Sequence, residues 1–152
     1  MKKMIIFLLY IFSTNLIAQT SKGDLMLESE SKLNFNQTVD SILAKATFIK
    51  WKVIITHDLH ESLKKSGKEV LPIKVIEICN PTYSYEVLRD DAIKSFSTLM
   101  PCRISVYNKT DGKTYVSRLN PDLMKTLADN LTAKSMLNAL TDIEAIVLDV
   151  IK

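Results

Sequence analysis

Apolar residues recur at helical spacing in two blocks of the chain, one near each end of the predicted domain. The first block runs from Phe35 to Ala46 and follows two asparagines, Asn34 and Asn36, either of which is a suitable N-cap. The second block, Ser135 to Val150, has the clearest amphipathic pattern in the sequence. These blocks predict a helix before the first central strand and an amphipathic helix at the C terminus.

Five other blocks have the composition or the alternation of β-strands. Ile73 to Ile78 is apolar on both faces and is expected to be central, whereas Cys102 to Tyr107 alternates cleanly. An Asp-Gly pair at Asp111 and Gly112 predicts a hairpin between the last two strands. The predicted strands are Leu25–Lys32, Trp51–Thr56, Ile73–Ile78, Cys102–Tyr107 and Lys113–Leu119.

Shorter helices are predicted between the strands. Asp58 and Glu61 form a capping-box pattern, and the helix that they begin is expected to end at Gly67. One or two short helices with a break are expected between residues 84 and 99, and another helix is expected to begin at Asn120. The order of elements predicts an α+β fold: a single small domain with an antiparallel sheet packed against helices and a C-terminal amphipathic helix.

The N terminus has the pattern of a cleavable export signal. Lys2 and Lys3 precede an apolar run that reaches Ala18, which predicts a signal peptide over residues 1–19 and a single domain over residues 20–152. The run is shorter than the roughly 20 residues that span a bilayer, so no stable membrane span is expected after cleavage. The protein is therefore expected to be exported, to the periplasm if the source is bacterial.

Composition excludes several classes of function. Cleavage after Ala18 would lower the net charge from +3 to +1, and no basic run remains, so no nucleic acid partner is expected. Three glycines in the whole chain exclude a glycine-rich phosphate loop, and no metalloprotease motif or nucleophile elbow is present. We therefore assign no catalytic residue, and the sequence favours a role other than that of an enzyme.

Two cysteines, each next to or near a proline, are the main candidates for chemistry. Cys79 ends a predicted strand and Cys102 begins another, so antiparallel pairing of these strands would bring the thiols together. The residues leave three interpretations open. The first is a structural disulfide, favoured by export, which would contribute about 3 kcal/mol to stability. The second is a pair of buried reduced thiols, and the third is a functional pair.

The functional interpretation has a binding form and a redox form. In the binding form, Cys79, Cys102 and His57, with Met100 nearby, would be the ligands of a soft metal ion or of haem iron. The alternative for His57 is a capping or hydrogen-bonding role at a helix start. In the redox form the cysteines act as a reversible dithiol, although no Cys-x-x-Cys motif is present.

Two residues adjoining the cysteines in sequence, Asn80 and Arg103, complete the candidate ligand-binding set with His57 and Met100. The binding form would take a small ligand or a metal.

From Phe35 to about Lys125 the chain resembles the family called domain of unknown function 302. The resemblance implies a small α+β domain with a curved antiparallel sheet, a homodimer, and no established activity. Many members have glycine and an apolar residue where this chain has Cys79 and Cys102, which suits two residues that meet in the fold. The similar stretches are Trp51–Gly67, Asn80–Pro81, Met100–Tyr107 and Asp111–Ser117.

Overall fold

The structure, a computed structural model, describes residues 25–122 and 131–152, and in the second range the side chains from residue 134 onward. The predicted signal peptide and most of the helix predicted from Asn120 lie outside the described residues. Pro121 and Asp122, the first positions of that helix, are described and are helical.

Besides the two helical residues Pro121 and Asp122, the described residues form five strands and four α-helices in a mixed order. The strands are β1 (Met26–Glu30), β2 (Lys52–Asp58), β3 (Ile73–Cys79), β4 (Cys102–Asn108) and β5 (Thr114–Leu119). The helices are α1 (Phe35–Phe48), α2 (Leu59–Lys65), α3 (Pro81–Leu88) and α4 (Leu131–Val147), with a 3-10 helix at Lys94–Leu99. This arrangement confirms the predicted α+β class and the C-terminal helix.

The strands form one antiparallel sheet in the order β1-β5-β4-β3-β2. β3 lies between β2 and β4, which confirms that the strand with two apolar faces is an interior one. Its residues Ile76 and Ile78 are completely buried. The Asp-Gly pair forms the turn between β4 and β5, and Gly112 has a positive φ of 79° there.

Helix termini follow the predicted capping residues. Asn34 is the N-cap of α1, and its side chain accepts a hydrogen bond from the Gln37 backbone at 3.0 Å. Asp58 caps α2 through the backbone N–H of Glu61 at 2.9 Å, and Gly67, with φ of 70°, follows the C-cap as predicted. Backbone N–H groups in the first turns of α1 and α2 are thus satisfied by side chains that precede the helices.

Several helix boundaries differ from the sequence prediction, and two of the differences have a clear local cause. α3 begins at Pro81, earlier than expected, because Asn80 caps it and proline is well suited to the first helical position. α4 ends at Val147 rather than Val150, because the following residues turn so that Ile151 pairs with Ser31. The predicted break between residues 84 and 99 is confirmed, since a turn separates α3 from the 3-10 helix.

The core lies between one face of the sheet and helices α1 and α4. Its buried residues include Ile42 and Ala46 of α1, Ile104 and Val106 of β4, and Ile143 of α4. Side chains that alternate with these strand residues form the opposite face of the sheet, which remains partly exposed. No helix among the described residues is long and apolar enough to cross a membrane.

Candidate functional site

The two cysteines meet at one end of the sheet. Cys79 is the last residue of β3 and Cys102 is the first residue of β4, and the pairing of these strands sets Cys102 opposite Ile78, the neighbour of Cys79. Both residues are half-buried free thiols that line the same cavity. The antiparallel register that the sequence analysis assumed is therefore present, while the disulfide and the redox pair stay predictions.

The cavity that contains the thiols, called here the thiol cavity, is small and mostly apolar. Its volume is about 30 Å³, which is enough for a metal ion or a very small number of water-sized groups. Two thioether side chains, Met100 and Met136, share its lining with the two cysteines. Four sulfur-containing side chains therefore line one small space.

Burial controls the acidity of one thiol. It raises the pKa of Cys102 to about 11, and the neighbouring Cys79 adds to this by electrostatic repulsion. Cys79 has a polar partner, because its Sγ lies 3.0 Å from the Ser84 hydroxyl oxygen. At neutral pH Cys102 is thus a protonated thiol, and a protonated thiol is a poor nucleophile.

Two aromatic side chains that share one hydrogen-bond acceptor line the thiol cavity. The rings of Trp51 and Tyr83 lie 6.0 Å apart, and both donate to the same Asp142 carboxylate oxygen, the indole N–H and the phenol O–H each at 3.1 Å. Burial, followed by the bond to Asp142, raises the pKa of Tyr83 above its usual value. This network fixes both rings against the space beside the cysteines.

Sequence reasoning missed Trp51, Ser84, Met136 and Asp142 as parts of this site. Asp142 lies on α4, 91 residues from the indole that it binds, and no local pattern links the two. The usable signal was the polarity of Asp142 in the middle of the apolar C-terminal block. A carboxylate at such a place requires a buried or half-buried donor.

Asn80 and Met100 lie beside the cysteines, while their predicted role in ligand binding stays a prediction. Both line the thiol cavity, and the Asn80 side chain accepts a hydrogen bond from the Thr82 backbone at 3.0 Å as the cap of α3. Asn80 therefore has a structural role that fixes the chain immediately after Cys79. Met100 precedes Pro101 in the segment that leads into β4.

His57 and Arg103 belong to a different place, the exposed face of the sheet. Both contact Glu77, His57 through Nε2 at 3.3 Å and Arg103 through Nε at 3.0 Å from the same carboxylate oxygen. Together the two partners lower the pKa of Glu77, with the hydrogen bond from Arg103 as the larger cause. Arg103 points away from the cavity because it alternates with Cys102 along β4.

The predicted metal set of His57 with both cysteines is not assembled. His57 pairs with Val75, whereas Lys52, at the other end of β2, pairs with Cys79. These positions on β2 are five residues apart, which corresponds to roughly 16 Å of strand. Among the residues that the structure describes, no group of three His, Cys, Asp or Glu side chains could hold a metal ion.

Comparison with known proteins identifies the family and the fold. A crystal structure of an uncharacterized conserved DUF302 protein from Bacillus stearothermophilus is similar, with a TM-score of 0.71 and 18% identity. The similarity covers 82% of this chain and 97% of that chain. No curated protein sequence matches. The family model described as domain of unknown function DUF302 matches residues 27–150, and the chain therefore belongs to the DUF302 family.

Proposed function

We propose that this protein is a small binding module that holds one soft monovalent metal ion, Cu(I), between Cys79 and Cys102. The observation that carries the proposal is the lining of the thiol cavity, where two free thiols and the Met100 and Met136 thioethers surround a single space. Thiolate and thioether ligands favour Cu(I) over harder ions. Two sulfur ligands suffice for Cu(I), so the proposal needs no histidine.

The size of the thiol cavity supports an ion over an organic ligand. Pockets that bind cofactors or drug-sized ligands measure about 300–1,000 Å³. The thiol cavity is about 30 Å³, roughly a tenth of the lower limit. Haem, the other ligand considered from the sequence, would require a cavity with a volume in the range of those larger pockets.

Proton release accompanies the proposed binding. Sulfur binds the metal as thiolate, and the pKa of Cys102 is about 11, so binding at neutral pH displaces the Cys102 proton. The affinity for the ion should therefore increase with pH up to about that value. A metal that ionises its own ligand also explains how a half-buried, weakly acidic thiol could serve in such a site.

The disulfide and redox interpretations use the same two residues, and they are outcomes of the test below. In the redox interpretation Cys79 would be the attacking thiol, because thiol–disulfide exchange requires a thiolate and burial opposes the ionisation of Cys102. A disulfide would remove both metal ligands at once. Export and the homodimer, expected from the N-terminal pattern and from the family, stay predictions.

A fluorescence titration tests the proposal. Trp51 is the only tryptophan of the chain and it lines the thiol cavity, so its emission should respond to an ion between the cysteines. The reduced protein is titrated anaerobically with Ag(I), a substitute for Cu(I), and then with Cu(I) against a chromogenic competitor. We expect one equivalent to bind with a change in Trp51 emission.

Three variants separate the site from nonspecific binding. Cys79→Ser and Cys102→Ser should each abolish the stoichiometric change, whereas the control His57→Gln should bind as the unmodified protein does. Intact mass with and without alkylation shows whether the purified protein carries a disulfide. Thiols that resist alkylation until reduced, or equal metal binding by the serine variants and the unmodified protein, would refute the proposal.

A further inference from the structure

A second and larger cleft lies beside the thiol cavity, on another side of Cys102. Ladder pairing between β4 and β5 ends at Ile104 and Arg118, so the first residues of β4 are not paired to the end of β5. The space there has a volume of about 340 Å³, within the range of pockets that bind small organic ligands. Cys102 and Met136 line both this cleft and the thiol cavity.

The lining of the cleft is mainly apolar, with a few polar side chains. Leu140 and Ile143 of α4 and Leu119 of β5 are among its apolar residues. Ser105 and Ser117, which pair directly across β4 and β5, supply hydroxyl groups. A mainly apolar space with a few polar groups suits a ligand with an apolar body and one polar end.

Two arginines line the cleft, and their partners differ. Arg118 is buried and fully engaged, with two bonds to Glu144 at 2.8 and 2.7 Å and one to the Ser29 hydroxyl at 2.8 Å. Arg103 uses Nε for Glu77, and its side chain is 61% exposed. Within the described part of the chain, the terminal nitrogens of Arg103 donate to no protein acceptor, so they are available to an anion.

We propose that this cleft binds a medium-chain carboxylate, of the class of a fatty acid. The chain of the ligand lies against Leu119, Leu140 and Ile143, and its carboxylate lies near the Arg103 guanidinium and the serine hydroxyls. Arginine recognises planar carboxylates through two parallel N–H donors. The cleft shares Cys102 and Met136 with the thiol cavity, but Cys79 and Met100 are not among its lining residues, so loss of the Cys79 sulfur should not remove the proposed carboxylate site.

Calorimetric titration with sodium decanoate, and with decanol as the neutral analogue, tests this proposal. Decanoate should bind the unmodified protein saturably and more tightly than decanol does. Arg103→Gln should weaken decanoate roughly tenfold and leave decanol unchanged, since it removes only the charge-assisted contact. Arg89→Gln is the matched control, because Arg89 is a surface arginine that pairs with Glu86 at 2.7 Å, outside the cleft lining.

A second variant fills the cleft. Ser105→Phe places an aromatic ring in the cleft, and phenylalanine is a residue that β-strands favour. This variant should no longer bind either probe. Its urea midpoint shows whether it is folded, and Ser117→Leu replaces it if it is not. Cys79→Ser should keep decanoate binding even as it loses the metal. Absence of saturable decanoate binding, equal effects of Arg103→Gln and Arg89→Gln, or normal binding by the folded cleft-filling variant would overturn the proposal.

Discussion

Removal of the Glu144 carboxylate should destabilise the domain far more than removal of a comparable surface carboxylate. Glu144 on α4 holds Arg118 of β5, whose side chain is only 4% exposed, through two hydrogen bonds. Glu144→Ala leaves a buried guanidinium with the Ser29 hydroxyl as its remaining partner among the described residues. Breaking a buried ion pair from one side costs about 3–5 kcal/mol. Because Glu144 is itself 32% exposed, we expect about 3 kcal/mol.

Urea unfolding followed by Trp51 emission measures this change, since the indole is 3% exposed in the folded protein. Glu86→Ala is the control: it breaks the exposed pair with Arg89, and it should cost less than about 1 kcal/mol. The double variant Glu144→Ala with Arg118→Leu should recover much of the loss, because no buried charge is then left uncompensated. Equal costs for Glu144→Ala and Glu86→Ala would refute the reasoning.

Three further predictions concern backbone strain and pH. Gly67→Ala should cost about 1 kcal/mol by urea unfolding, because φ is +70° there and an added Cβ meets no atom within 4 Å. The Glu61 N–H lowers the pKa of Asp58 below 3.8, so Asp58 stabilises the fold above that pH and ceases to do so as the pH falls further. Asp58→Asn should therefore weaken the acid dependence of unfolding. Burial raises the pKa of Cys102 from 9.0 to about 11, so stability should fall between those values in reducing buffer, and Cys102→Val should flatten that fall.

Each of these predictions has a contrary result. An unchanged urea midpoint in Gly67→Ala would show that the turn relaxes out of the left-handed region. Asp40→Asn, on the exposed side of α1, is the control for Asp58→Asn. Equal acid dependence of those two variants would contradict the capping argument. If stability falls above pH 9 in Cys102→Val as much as in the unmodified protein, the fall is caused by other groups, and the prediction for Cys102 is wrong.

The helices and strands were largely readable from local patterns because their physical causes are local. Asn34 caps α1 through a residue three positions away, and Gly67 ends α2 through its own backbone freedom. The Asp-Gly pair at Gly112 likewise determines the β4–β5 hairpin. The sequence indicated that Cys79 ends one strand and Cys102 begins another, and the antiparallel pairing of those strands in the structure brings the two residues together.

Local patterns did not predict the position of His57 relative to the cysteines. Cys79 and His57 lie near the C-terminal ends of β3 and β2. Because the two strands are antiparallel, these C-terminal ends lie at opposite ends of the strand pair. His57 accordingly contacts Glu77 on the exposed face rather than a sulfur atom. Once the β2–β3 pairing is given, the register alone separates the histidine from the cysteines.

The sequence by itself determined the α+β class and most helix caps, because each depends on short-range spacing. The pairing of the two cysteine-bearing strands joins separate segments of the chain and was decided by the tertiary structure. Tertiary structure alone decided which side chains enclose the thiols. Asp142 reaches Trp51 and Tyr83 across long stretches of chain, and Met136 meets Cys102 only because α4 packs on the sheet. Such contacts depend on the packing of distant elements, which no local periodicity encodes. The small size of the thiol cavity follows from that packing too.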